Sequence, residues 1–105
     1  MFLVACSDKE ESMSELTMQS FIEAYEAEGV EIDPEEKPFF SIINAKDGVI
    51  FYMDDQPVKI YEYSTAKDID SGIEALPDVS EWDKNGRFVL ETSNEKAKEI
   101  FHNVK

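Results

Sequence analysis

Apolar residues mark out one helix near the start of the chain. Met18, Phe21, Ile22 and Tyr25 recur at three- and four-residue intervals, which places them on one helical stripe. The pattern predicts a helix over Ser12 to Gly29. Ser12 and Glu15 have capping-box spacing, Ser14 is an alternative cap, and Gly29 supplies the stop. Val30 to Pro38 breaks the period and reads as a polar connector punctuated by Pro34 and Pro38.

The period then changes. Phe39 to Asn44, Val49 to Met53 and Val58 to Tyr63 are rich in aromatic and β-branched residues and predict three strands. Ala45-Lys46-Asp47-Gly48 and Asp54-Asp55-Gln56-Pro57 carry turn chemistry, so the strands should form an antiparallel meander. Thr65, with Asp68 three positions on, opens a second helix bearing Ala66, Ile69, Ile73 and Leu76; Ser64 is the competing cap. Gly72 weakens that helix and Pro77 ends it. Asp78 to Gly86 reads as a loop holding Trp82, and Arg87 to Thr92 as a fourth strand. Ser93 or Asn94 caps a last helix carrying Ala97, Ile100, Phe101 and Val104.

The order expected is therefore α-β-β-β-α-β-α. Strands clustered in this way favour an α+β fold: a four-stranded, mainly antiparallel sheet with helices packed on one face. The length of 105 residues suits one domain, expected over residues 14–105. Seven Phe, four Tyr and one Trp supply enough large apolar surface for a core.

Charge narrows the partners. Against 24 Asp and Glu stand only 10 Lys and Arg, a formal net charge of -14. Such a surface repels nucleic-acid backbones and anionic headgroups and suits cationic partners. No stretch is long and apolar enough to span a membrane.

The one cysteine, Cys6, has no disulfide mate within the chain. It ends the apolar run Leu3-Val4-Ala5-Cys6, and Ser7 to Ser14 is polar, with Asp8, Lys9, Glu10 and Glu11. That junction resembles the lipobox of bacterial lipoproteins, in which a branched apolar residue lies three positions before the cysteine and a small residue directly before it. The resemblance implies cleavage before Cys6 and a lipid on its thiol. It also implies a signal remnant over residues 1–6, a polar tether over 7–13 and a domain outside the cytoplasm, touching the membrane through the lipid alone. A secretory signal has a basic region and an apolar stretch of about 7–15 residues. Only Met1 to Ala5 precede Cys6, so a lipoprotein reading expects a start upstream of Met1.

No catalytic or cofactor motif stands out. His102, the only histidine, lies near the end of the last helix, where a partial positive charge suits the helix dipole. Asp68-Ile69-Asp70-Ser71-Gly72 fails the calcium-loop pattern, because Gly falls at position five and Val79 at position twelve. Asp83-Lys84-Asn85-Gly86 reads as a turn, and Asp54 and Asp55 lie at another. No serine sits in a nucleophile motif, so neither a catalytic residue nor a metal ligand nor a cofactor is expected. The remaining feature is aromatic. Tyr52, Tyr61, Tyr63 and Trp82 form a candidate binding surface on the sheet and its neighbouring loop. The expected function is a non-enzymatic, lipid-anchored domain that binds a protein or small ligand. The alternative is a cytosolic acidic inhibitor or nucleic-acid mimic, which needs its carboxylates in one continuous stripe.

Overall fold

Thr17 caps the first helix of the described residues. In the computed structural model, which describes residues 16–105, α1 spans Met18–Glu26. The Thr17 hydroxyl accepts from the Ser20 N–H at 3.3 Å and the Ser20 hydroxyl accepts from the Thr17 N–H at 3.2 Å, a reciprocal cap. The expected caps at Ser12 and Ser14 lie outside the described residues. Gly29 ends this segment as expected. At φ 89 it lets its own N–H reach the Glu26 carbonyl and the Val30 N–H reach Tyr25, the paired bonds of a Schellman end.

The segment Phe39 to Asn44, expected as a strand, folds instead as a 3-10 helix, Phe40–Ile43. Its apolar residues come three apart rather than alternating. Phe39 and Ile42 share the outer side and Phe40 and Ile43 the inner one, the eclipsed spacing of a 3-10 turn. Asn44, at φ 59, closes the turn in the left-handed region.

The sheet still has four strands, because Asp83–Asn85, expected as loop, is β3. β1 is Asp47–Met53, β2 Gln56–Glu62 and β4 Phe88–Thr92. All neighbours are antiparallel, in the spatial order β1-β2-β4-β3. Among the described residues the order of helices and strands is α-β-β-α-β-β-α. β1 and β2 meet at a two-residue turn, with Met53 opposite Gln56 and both Asp54 and Asp55 at positive φ. α2, Ile69–Ala75, follows a short 3-10 turn capped by Thr65 as predicted, and Pro77 opens a further 3-10 helix, Pro77–Glu81. α3 is Glu95–Asn103, capped by Asn94 rather than Ser93.

Helices were expected on one face of the sheet; they cover both. α1 and α3 close the first face over Val49, Phe51, Val58, Ile60, Phe88 and Leu90. There Phe21 packs on Phe88 and Phe101, with ring centres 4.6 Å and 5.0 Å apart. α2 and the two 3-10 helices pack on the second face, over Tyr61 and Val89. Strand alternation makes this necessary: Ile60 and Leu90 point one way, Tyr61 and Val89 the other, and all four are buried. The second cover is short. It leaves one flank of the sheet, by β1, open.

Candidate functional site

The open flank is a groove of about 360 Å³ on the second face. Ile50, Lys59, Tyr61 and Glu91 form its floor, Phe39 and Ile42 one wall, and Leu76 and Trp82 the other. Phe39 is 83% exposed and Ile42 62%, so two large apolar side chains of a rigid turn stand in water. Tyr52, 60% exposed, shares the face of β1 that carries Ile50.

Trp82 is pinned from behind. The Lys84 ammonium donates to the carbonyls of Val79, Ser80 and Trp82, at 2.9 to 3.2 Å, and neutralises the carbonyl end of the 3-10 helix before Trp82. The indole then stacks on Tyr61, ring centres 5.8 Å apart and planes 15° from parallel. The Tyr61 hydroxyl donates to Glu91 at 3.0 Å, and Lys59 pairs with the same carboxylate at 3.8 Å. Burial, reinforced by the Glu91 charge, pushes the Tyr61 phenol well above its ordinary range, so it stays a neutral donor. Past Trp82 the floor continues into a smaller hollow of about 290 Å³ beside Pro57, Thr92 and Ser93. The whole is an apolar trough with one neutralised polar cluster in its floor, an arrangement suited to binding rather than to proton transfer.

Of the expected surface, Tyr61 and Trp82 are brought together and Tyr52 lies nearby. Tyr63 does not belong to it. It is fully buried, and its hydroxyl donates to the Ile43 carbonyl at 2.8 Å. Cys6 lies outside the described residues. The groove walls, Phe39 and Ile42, were missed because their segment was read with a period of two. The three-residue spacing of Phe39/Ile42 and Phe40/Ile43 was the available signal.

The other candidates are placed as follows. His102 pairs with Asp83 at 2.8 Å on the surface. Asp68 and Asp70 lie at the start of α2, and Asp54 and Asp55 in the exposed hairpin turn. Among the described residues no three His, Cys, Asp or Glu side chains converge as a metal site, and no helix is long and apolar enough to cross a membrane. A second concavity, a cleft of about 780 Å³, runs between the outer edge of β1 and the connector after α1. No family model, curated protein or solved structure matches the chain.

Proposed function

We propose that this chain is a non-enzymatic binding domain, held by a lipid on Cys6 at the outer face of a bacterial cell membrane, which takes an apolar segment of a protein or a small ligand in the groove between Phe39, Ile42 and Trp82. The observation that carries the binding role is the exposure of Phe39 and Ile42 on a turn whose inner residues are fixed in the core. Exposed apolar side chains held rigidly around a concavity gain free energy only when a partner covers them. The anchor rests on the Leu3-Val4-Ala5-Cys6 run and the polar stretch after it. The cytosolic-mimic alternative has less support, because it gives no account of the exposed apolar pair Phe39 and Ile42, and several carboxylates are already paired: Asp47 with Lys37, Glu62 with Arg87, Glu91 with Lys59.

Two measurements test the two halves. Expressed from its full gene, the protein should incorporate labelled palmitate, and Cys6→Ser should abolish this; an unlabelled, cytosolic wild type rejects the anchor. A photo-reactive benzoylphenylalanine replacing Phe39 or Ile42 should give one discrete adduct in cells, while the same group replacing the exposed Glu99 gives none. Identical patterns from all three positions, or none from any, reject the groove.

A further inference from the structure

β1 is an edge strand, and part of its outer edge has no partner. In an antiparallel ladder alternate residues turn both backbone groups to the same side. Ile50 turns its N–H outward, where the Glu36 carbonyl accepts it at 3.1 Å. Gly48, two residues before, faces the same way, and the Lys37 ammonium reaches its carbonyl at 3.5 Å. Tyr52, two residues after Ile50, is in the same phase. Among the described residues neither its N–H nor its C=O finds a hydrogen-bond partner. The connector that covers the edge at Ile50 has moved away by Tyr52, and the large cleft opens between them.

The cleft has a sign. Glu28, Glu31, Asp33 and Glu36 line it from the connector and Asp54 from the end of β1. Among the described residues the one cation on its wall, Lys96, lies 3.8 Å from Glu28. Val30 and Ile32 add apolar surface beneath the carboxylates.

We propose that β1 takes an added strand at Tyr52, and that the strand is an extended, lysine- or arginine-rich peptide. The unpaired backbone groups supply the register, by strand addition. The carboxylates choose the sign of the side chains flanking it. A second copy of the chain is a poor occupant, because pairing two β1 edges would bring both sets of carboxylates into one interface. This surface adjoins the apolar groove at Ile50, which lines both, but strand addition does not depend on the groove's occupancy.

The probe is an acetylated, amidated heptapeptide alternating lysine and threonine, titrated into the full chain. It should bind, and raising the salt from about 50 mM to about 500 mM should weaken it by about tenfold or more. Glu31→Gln with Glu36→Gln should weaken it similarly, and Phe39→Ser with Ile42→Ser should leave it unchanged. Under saturating peptide, amide exchange at Tyr52 should slow by about tenfold or more. A version N-methylated on alternate backbone nitrogens should not bind. Binding without protection of the Tyr52 amide overturns strand addition. No binding, or equal binding of a glutamate–threonine peptide, overturns the choice of partner. Self-association of the chain without peptide makes a second copy the occupant instead.

Discussion

Gly72 lies inside α2, where alanine is ordinarily better by about 1 kcal/mol. Here a Cβ would sit 2.2 Å from the Tyr63 hydroxyl oxygen and 2.8 Å from the Ile43 carbonyl. Neither neighbour can swing aside, since the Tyr63 ring is fully buried and the carbonyl is backbone. The glycine read from sequence as a helix weakness is thus the gap that admits the Tyr63–Ile43 hydrogen bond. Steric cost outweighs propensity, and Gly72→Ala should destabilise the fold by about 2 kcal/mol in urea unfolding. Tyr63→Phe alone should cost about 1 kcal/mol by leaving the Ile43 carbonyl unpaired. The double variant should lose less than the sum, because the hydroxyl that clashes is gone; strict additivity rejects the contact. Burial also pushes the Tyr63 phenol up to about 12 and raises Tyr25 and Tyr61 further. These folded values lie above the ordinary tyrosine value of about 10, so their contribution is complete below it and is lost as pH rises through the folded values. Absorbance at ~295 nm should show these three phenols ionising together with alkaline unfolding, not before it.

The β1–β2 turn places two aspartates in the left-handed region, where glycine is preferred at the second position. Asp54 and Asp55, neighbours in the chain, have φ of 52° and 66°. Asp54 is partly compensated by the Asn94 amide at 3.4 Å. Asp55, exposed, has no such contact among the described residues. Asp55→Gly should therefore stabilise the fold by about 0.5–1 kcal/mol through relief of left-handed strain and charge repulsion. Asn94 does more than cap α3. Its Oδ1 accepts from the Ala97 N–H at 2.9 Å, while its amide donates to Gln56 at 3.0 Å and to the Met53 carbonyl at 3.3 Å, so one side chain ties the last helix to the hairpin. Asn94→Ala should cost about 2 kcal/mol, the upper end for a lost cap, with thermal unfolding as the check. These elements also show what was legible in the sequence. Thr65, Gly29 and the stripes of α1 and α3 act locally, so their spacing alone revealed them. β3 was hidden because Asp83-Lys84-Asn85 carries no β propensity; its side chains answer to partners outside the strand. Lys84 serves the 3-10 helix before Trp82, and the Asn85 amide caps the end of α3 at the carbonyls of Phe101 and Val104, both at 3.0 Å. The groove was half legible for the same reason: Tyr61 and Trp82 stood out as aromatics, whereas Phe39 and Ile42 gained their meaning only from the turn that turns them outward.

At the scale of the whole molecule, acidity and stability pull against each other. Three ion pairs of the described residues, Lys37–Asp47, Lys96–Glu28 and Lys98–Glu95, join side chains that are both at least a third exposed, and exposed pairs add little. The Arg87–Glu62 pair is the better shielded one; Arg87 also donates to the carbonyls of Tyr63 and Leu16, at 3.0 Å each, and so ties the start of α1 to the sheet. Against these stands the self-repulsion of a net charge of -14. Screening weakens both terms, but repulsion sums over many long distances and is lost first as the Debye length falls from ~30 Å near 0.01 M salt to ~8 Å near 0.15 M. Sodium chloride should therefore raise the Tm by a few degrees over that range. Acid acts in the opposite direction at paired carboxylates. Burial alone would raise Asp47, but the hydrogen bond from Lys37, that from the Gly48 N–H and the charges of Lys37 and Lys46 outweigh it and hold the carboxyl below the usual range. Its contribution is present above the ordinary carboxylate pKa and is lost as pH falls through the lowered value. Asp47→Asn should accordingly flatten the acid limb of a stability-versus-pH curve and leave the salt response at neutral pH nearly unchanged. An acid limb identical to that of wild type would mean that the Lys37 contact contributes nothing to folding.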